Sequence, residues 1–172
     1  MPASPAMPSQ AIPDRDTALA LQSLAQRLER ELLAALESTS PQAAVDRLEA
    51  ICAYRDQLAE TLRRIVPDLE QSVLESLRLG LDRYACDLYQ RGGWEHLDET
   101  RRTTLLSRHA SGLMQIKGVG AASAQILFSH GISDPERFHR LTPEALDQIE
   151  GLNASVLARL KGNLEAGQGQ ET

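Results

Sequence analysis

The 172-residue sequence has few aromatic residues, few cysteines and no long apolar run. Aromatic residues make up only 3% of the chain, which favours helices packed through aliphatic side chains. Cys52 and Cys86 lie far apart without a CxxC spacing, which predicts two buried, reduced thiols in a cytoplasmic protein. No stretch approaches the roughly 18 apolar residues of a membrane span. The N-terminus shows no charged segment followed by an apolar run, so we predict no signal peptide and no membrane partner.

Motifs that mark common enzymes are also missing. The sequence contains no Walker loop, GxSxG, HExxH or Rossmann glycine set. His109, His130 and His139 have no cysteine or carboxylate at a recognisable spacing. The acid and histidine cluster at 95–99 could supply metal ligands, but its spacing matches no metal motif and helix capping is the preferred interpretation. We therefore expect no enzyme activity, no catalytic residue, no metal and no cofactor.

Periodic apolar residues predict long helices in the first half of the chain. Residues 1–15 are rich in proline, alanine and serine and are predicted to be disordered. From residue 16, apolar residues recur in steps of three and four, which is typical of one helical face. The first face comprises Leu21, Ala25, Leu28, Leu32 and Ala35/Leu36, and the second Leu48, Ile51, Arg55, Leu58, Leu62 and Ile65. Ser40 and Pro41 predict the start of the second helix.

The heptad-like second face indicates pairing with another long helix. At Pro67, one kinked helix and two helices joined by a tight corner are both compatible with the sequence. Gly92 and Gly93 end the third periodic segment, and Trp94 and Leu97 are predicted to fill the junction that follows. We therefore expect a module at 16–97 that is a long-helix bundle or a coiled-coil hairpin, self-contained or dimeric.

A local run of positive charge follows in a chain whose net charge is −6. No acidic residue lies between Glu99 and Asp134, whereas this interval contains Arg101, Arg102, Arg108 and Lys117. Such a run is compatible with an ordinary solvated helix face, and equally with a patch that attracts a polyanion. It lies directly before a short glycine turn, so we interpret the two features together.

The turn is Gly118-Val119-Gly120, and it repeats later in the chain. Glycine adopts positive φ without a steric penalty, and the turn leads into a helix whose unpaired N–H groups attract anions. The repeat at Gly151-Leu152-Asn153 has an offset of 33 residues. The same offset relates the apolar residues before each turn, Leu113 and Ile116 in the first copy and Leu146 and Ile149 in the second.

The stretch at 112–165 resembles a tandem helix-hairpin-helix domain, as found in repair nucleases, Holliday-junction proteins, ligases and DNA-uptake proteins. The positions that match the motif in the first copy are Leu113, Ile116, Gly118, Val119, Gly120, Ala124 and Leu127. The resemblance implies that backbone amides of the hairpin bind DNA phosphates across the minor groove without reading base sequence. The implied donors are the amides of Gly118, Val119, Gly120, Ala121 and Ala122, with the Ser123 hydroxyl and Lys117 beside them.

The second hairpin departs from the motif because Asn153 replaces the second glycine. Asparagine tolerates the left-handed region, so the turn is expected to survive. Asp147 and Glu150 would repel phosphate, and we predict that Gly151, Leu152 and Asn153 are mainly structural. Neither hairpin carries the Lys or Arg that is common in this family after the second glycine.

The resulting prediction is an all-α protein with a helix-hairpin-helix domain at 98–165 and a disordered tail at 166–172. The expected function is non-sequence-specific binding of duplex or branched DNA by an accessory factor in repair, recombination or replication. The alternative is a protein-interaction adaptor in which residues 16–91 bind a partner or form a homodimer and the hairpins are structural.

Overall fold

The structure, a computed structural model, describes residues 13–65 and 71–168. These residues form an all-α fold, and no strand occurs among them. The α-helices are α1 Arg15–Leu36, α2 Pro41–Ile65, α3 Gln71–Gln90, α4 Glu99–Ala110, α5 Ala121–Ser129, α6 Pro135–His139, α7 Pro143–Asp147 and α8 Ala154–Gln168, and a 3-10 helix spans Ser111–Gln115 between α4 and α5. Within the described part, no helix is both long and apolar enough to cross a membrane.

The predicted terminal segments lie mainly outside the described residues. Residues 1–12 and 169–172 are among those not described, so the prediction of disorder is left open there. Arg15 belongs to α1 rather than to a disordered segment, and residues 166–168 extend α8 beyond the predicted limit.

Helices α1 and α2 form the predicted helical hairpin. Asp14 Oδ1 accepts the Thr17 amide at 2.8 Å, and Ser40 Oγ accepts the Ala43 amide at 3.2 Å, so both helices begin at capping residues. The turn between the two helices coincides with the predicted break. Leu28 and Ala35 are buried as expected, but Ala25 and Leu36 are exposed, because α1 packs mainly on α2 and leaves much of its surface open.

Helix α3 packs back against α2. Cys52 of α2 and Asp82 of α3 line one cavity. Arg55, one turn after Cys52, and Arg78, one turn before Asp82, line the same cavity. Residues that advance along α2 thus meet residues that recede along α3, which makes the helices antiparallel. The two helices are separate elements of the described chain, while Pro67 and the predicted kink or corner lie at residues 66–70, outside the described residues.

An aromatic cluster fills the junction after α3. Trp94 is buried, with its ring centroid 5.2 Å from that of Tyr89 and 5.8 Å from that of Phe128 in α5. Leu97 is buried beside it, as predicted. A methyl group on Gly93 would lie 2.9 Å from a backbone carbonyl oxygen of α2 and one of α3, so the chain can pass here only without a side chain.

The buried residues of both halves belong to one continuous cluster. It runs from Leu28 in α1 through Trp94 at the junction to Leu164 in α8. The hydrophobic core is therefore continuous across the predicted boundary between residues 97 and 98. The division into two domains remains a prediction based on sequence.

Candidate nucleic-acid interface

The first hairpin is a tight turn between the 3-10 helix and α5. Gly118 has φ +84°, a conformation that residues with a Cβ rarely adopt. The Val119 amide donates to the Ile116 carbonyl at 3.0 Å, and the Val119 side chain is buried. Val119 therefore closes the turn and anchors it in the core. Because its amide already has an internal acceptor, we do not count it among the open amides, and its role as a phosphate donor stays a prediction.

Several backbone amides at the beginning of α5 have no hydrogen-bond acceptor among the described residues. Gly120 is the N-cap with φ −97° and ψ 177°, and it has no side chain to accept a hydrogen bond. The first amide of the helix to find a backbone acceptor is that of Ala124, which donates to the Gly120 carbonyl at 2.9 Å. The amides of Ala121, Ala122 and Ser123 have no acceptor in the described part of the chain. Three N–H groups at the positive end of the helix dipole can therefore receive an anion.

The second hairpin has the same turn but a different cap. Gly151 has φ +93°, matching Gly118, and Leu152 is packed against the core. Asn153 has no positive φ; instead its Oδ1 accepts the Val156 amide at 2.9 Å. The turn is present, as expected, but it does not use the left-handed tolerance of asparagine, because the second position of the turn is an N-cap. The Asn153 side chain thus accepts a hydrogen bond from one N–H group that would otherwise be available to a ligand.

Charge also differs between the two turns. Glu150 is exposed directly before the second turn, at the position that Lys117 occupies before the first. Asp147 is held by Lys161 at 2.7 Å. The predicted structural role of the second hairpin agrees with these contacts, although no contact with a ligand tests it.

The two repeats pack on each other reciprocally. A methyl group on Gly118 would lie 3.6 Å from Cδ of Arg159 in α8, and one on Gly151 would lie 3.5 Å from Cδ1 of Ile126 in α5. Ile126 and Arg159 are separated by 33 residues, the same offset as the two glycines. Each turn therefore packs against the equivalent position of the other repeat, as in an approximate two-fold arrangement. Asn163 Nδ2 strengthens the contact by donating to the Lys117 carbonyl at 2.6 Å.

Most of the predicted cationic stripe is engaged within the protein. Arg101 Nε donates to Glu49 at 3.1 Å, Arg102 donates to three carbonyls of the α3–α4 connection at 3.3–3.4 Å, and Arg108 contacts Asp56. These arginines hold α4 on the preceding helices. Their predicted contact with nucleic acid stays a prediction.

Lys117 and Arg159 are the exposed cations that the structure brings to the first hairpin. Neither forms an ion pair with a residue that the structure describes, and Arg159 Nε donates only to the Ser155 carbonyl, at 3.4 Å. Sequence reasoning missed Arg159 because it lies 41 positions after Gly118. The only signal in the sequence was the repeat offset, which pairs Arg159 with Ile126 but does not show that either residue faces a turn.

The connector between the hairpins is anchored to α3 by an ion pair. Asp134 is the N-cap of α6, and Ser133 Oγ donates to its carboxylate at 2.7 Å. Arg83 Nε donates to the same carboxylate at 3.0 Å. Burial raises the pKa of Asp134, but hydrogen bonds from Arg83, Ser133 and the Arg137 amide outweigh it and lower that pKa to about 2.

Two short helical hairpins, packed reciprocally and each turning at a glycine with positive φ, define the class of this C-terminal unit. It is a paired helical-hairpin domain with one uncapped and one capped turn. Residues 110–165 match the family model described as a SAM-like helix-hairpin-helix tandem, in agreement with the resemblance seen in the sequence. No curated protein and no solved structure matches the chain. The helix-hairpin-helix family supports nucleic-acid binding in general terms.

Proposed function

We propose that this protein binds duplex or branched DNA without sequence specificity, through the first hairpin. The observation that carries this proposal is the uncapped start of α5, where the amides of Ala121, Ala122 and Ser123 point away from any internal acceptor beside two exposed cations. Amides in this arrangement donate hydrogen bonds to phosphate oxygens and carry no base information. Lys117 and Arg159 add the charge that the amides lack.

The binding is expected to be weak for a single copy. Two cations would release few counterions, so log K should fall against log salt with a slope of about −1.8, rather than the −3.6 or so expected for four cations. The net charge of −6 adds a general repulsion. A second copy or tethering to a partner would compensate through effective concentration. These properties suit a non-enzymatic, cytoplasmic accessory factor in replication, repair or recombination.

A protein-interaction adaptor is the second candidate, and exposed apolar residues favour it. Leu33 and Leu36 at the end of α1 are 51% and 66% exposed, although they lie in the longest helical hairpin of the described chain. Large exposed leucines close together are typical of surfaces that contact another protein. In this alternative, residues 16–91 bind a partner or a second copy and the first hairpin has no ligand.

Fluorescence anisotropy with a labelled duplex at low salt tests the DNA proposal. We expect Lys117→Gln with Arg159→Gln to weaken binding and to bring the salt slope close to zero. The matched control is Arg27→Gln with Arg30→Gln, which changes the net charge equally and alters only two exposed residues of α1, outside the first hairpin. The control should bind nearly as well as the original protein.

Two results would contradict the proposal. Equal affinity of the Lys117/Arg159 variant and the control would show that the first hairpin is not the contact site. No duplex binding by the unmodified protein at low salt, together with a stable homodimer or a stable complex through residues 16–91, would favour the adaptor.

A further inference from the structure

A cysteine, a histidine and an aspartate from three different helices meet inside the protein. His109 Nε2 of α4 lies 3.8 Å from Cys52 Sγ of α2, and His109 Nδ1 lies 2.8 Å from Asp82 Oδ1 of α3. All three side chains are buried. The sequence shows no partner of His109 at a recognisable spacing, and these contacts explain why, since the partners are 57 and 27 positions away in the chain.

The contacts define how His109 is protonated on each side of its ring. Arg78 donates to Asp82 Oδ2 at 2.8 Å, so the carboxylate has a cation on one oxygen and the imidazole on the other. Nδ1–H of His109 then donates to Asp82, which leaves the Nε2 lone pair directed at the Cys52 sulfur. A base that is oriented by a carboxylate and contacts a thiol can take the thiol proton.

Cys52 is one of the residues that line a cavity with room for a small reagent. The cavity measures about 240 Å³, several times the volume that a water molecule occupies in the liquid. Asp56 and Arg108 also line it, and their side chains are 49% and 36% exposed, so the cavity is open to solvent on their side. Arg55 is a further wall residue, and its buried Nε has no acceptor within the described ranges. An oxygen atom of a ligand in the cavity is a suitable acceptor for it.

Cys86 provides a contrast within the same molecule. Its thiol donates to the Phe128 carbonyl at 3.4 Å, and no histidine is its partner. Burial raises the pKa of Cys86 to about 12. Burial also raises the pKa of Cys52, but the positive charges of Arg108 and Arg55 oppose this rise. Cys52 is therefore a thiol at rest, and it needs an adjacent base before it can react.

We infer that Cys52 is a site of oxidation by small hydroperoxides, with His109 as the proton acceptor and Asp82 as the residue that positions it. The S–H proton passes to His109 Nε2, and the sulfur attacks the distal oxygen of the hydroperoxide. An S–O bond forms while the O–O bond breaks, so sulfur is oxidised by two electrons and the peroxide is reduced. The proton on His109 is delivered to the departing oxygen, which leaves as water or an alcohol, and Cys52 becomes a sulfenic acid.

Hydrogen peroxide is the probe, and dimedone with peptide mass spectrometry measures sulfenic acid at each cysteine of the full chain. At neutral pH we expect Cys52 to be labelled at least about tenfold faster than Cys86, because general-base catalysis contributes that much or more. The labelling rate of Cys52 should also level off at a lower pH than that of Cys86. Equal rates, or identical pH profiles for the two cysteines, would overturn the inference without the use of any variant.

Substitutions separate the roles of His109 and Asp82. His109→Gln should slow labelling of Cys52 by about tenfold or more, and Asp82→Asn should slow it less, because asparagine still accepts from Nδ1–H. Cys86 reports on the fold in the same sample. A normal rate at Cys52 in His109→Gln, with Cys86 still protected, refutes the role of His109. If both cysteines become reactive, the variant has lost its packed fold. The pH profiles of the two cysteines in the unmodified protein then decide whether Cys52 is activated.

Discussion

Gly120→Asn should make the protein more stable and a poorer DNA binder at the same time. In the second repeat, Asn153 shows what the substitution would do, because its side chain accepts an amide three residues later. Gly120 has the extended backbone of an N-cap, and a Cβ added there meets no atom within 4 Å. A new asparagine can therefore cap α5 by accepting the Ser123 amide, which has no acceptor in the described structure.

The expected magnitudes follow from these contacts. Asparagine exceeds glycine as an N-cap by a few tenths of a kcal/mol, and removing a glycine from the unfolded chain adds roughly 0.4–1 kcal/mol. A gain of about 1 kcal/mol would raise Tm by roughly 2–4 °C in a chain of this length. Losing one hydrogen bond from a backbone amide to a charged phosphate costs about 1.5–3 kcal/mol, so duplex affinity should fall by about ten- to a hundredfold.

Thermal unfolding by circular dichroism and anisotropy with a labelled duplex measure the two effects. Gly120→Ala is the matched control, since it adds a side chain of no hydrogen-bonding capacity in the same open space and should leave affinity nearly unchanged. A Gly120→Asn protein that is more stable but binds DNA as before would refute the role of the α5 amides. Equal loss of affinity in both variants would show that bulk, and not capping, is responsible.

Two further predictions concern stability alone. Gly93→Ala should lower the free energy of unfolding by about 1–3 kcal/mol, because its Cβ would lie 2.9 Å from two carbonyl oxygens. Gly162→Ala on the open surface of α8 should instead raise the free energy of unfolding by about 0.5–1 kcal/mol. Urea unfolding distinguishes the two variants, and equal effects would contradict the packing at Gly93. Asp134→Asn should lose about 2 kcal/mol near neutral pH, because the folded pKa of Asp134, about 2, lies below its ordinary value of 3.8. That stabilisation is present above the ordinary value and is lost as pH falls through about 2, so unfolding curves of the two proteins should converge in acid, and a constant difference down to pH 2 would refute the linkage.

Local signals in the sequence predicted the long helices of the first half and the start of α2 at Ser40, and residues of the same capping types begin other helices. Asp14, Ser40, Asp98 and Thr142 each accept an amide three residues later, as capping residues do. The repeat offset predicted the paired hairpins. Both kinds of signal depend on residues that are close in the chain or regularly spaced, and neither requires knowledge of how helices pack.

Contacts between distant helices could not be read from the sequence. The stripe at 101–117 was predicted from charge alone, but Glu49 and Asp56 on α2 engage two of its arginines because α4 packs on that helix. Arg159 reaches the first hairpin only because α8 crosses it. The partners of His109 come from two other helices. Side-chain direction and helix packing decide each of these contacts, and spacing along the chain encodes neither.

The exchange of contacts between the two hairpins has a consequence for cooperativity. Since the first turn is covered by α8 and the second by α5, neither repeat contains all the contacts that hold its own turn. Local opening of α8 would therefore release the uncapped amides of α5 from their geometry, although α8 contains none of them. DNA bound at the first hairpin would in turn protect α8, a distant end of the chain, from hydrogen exchange.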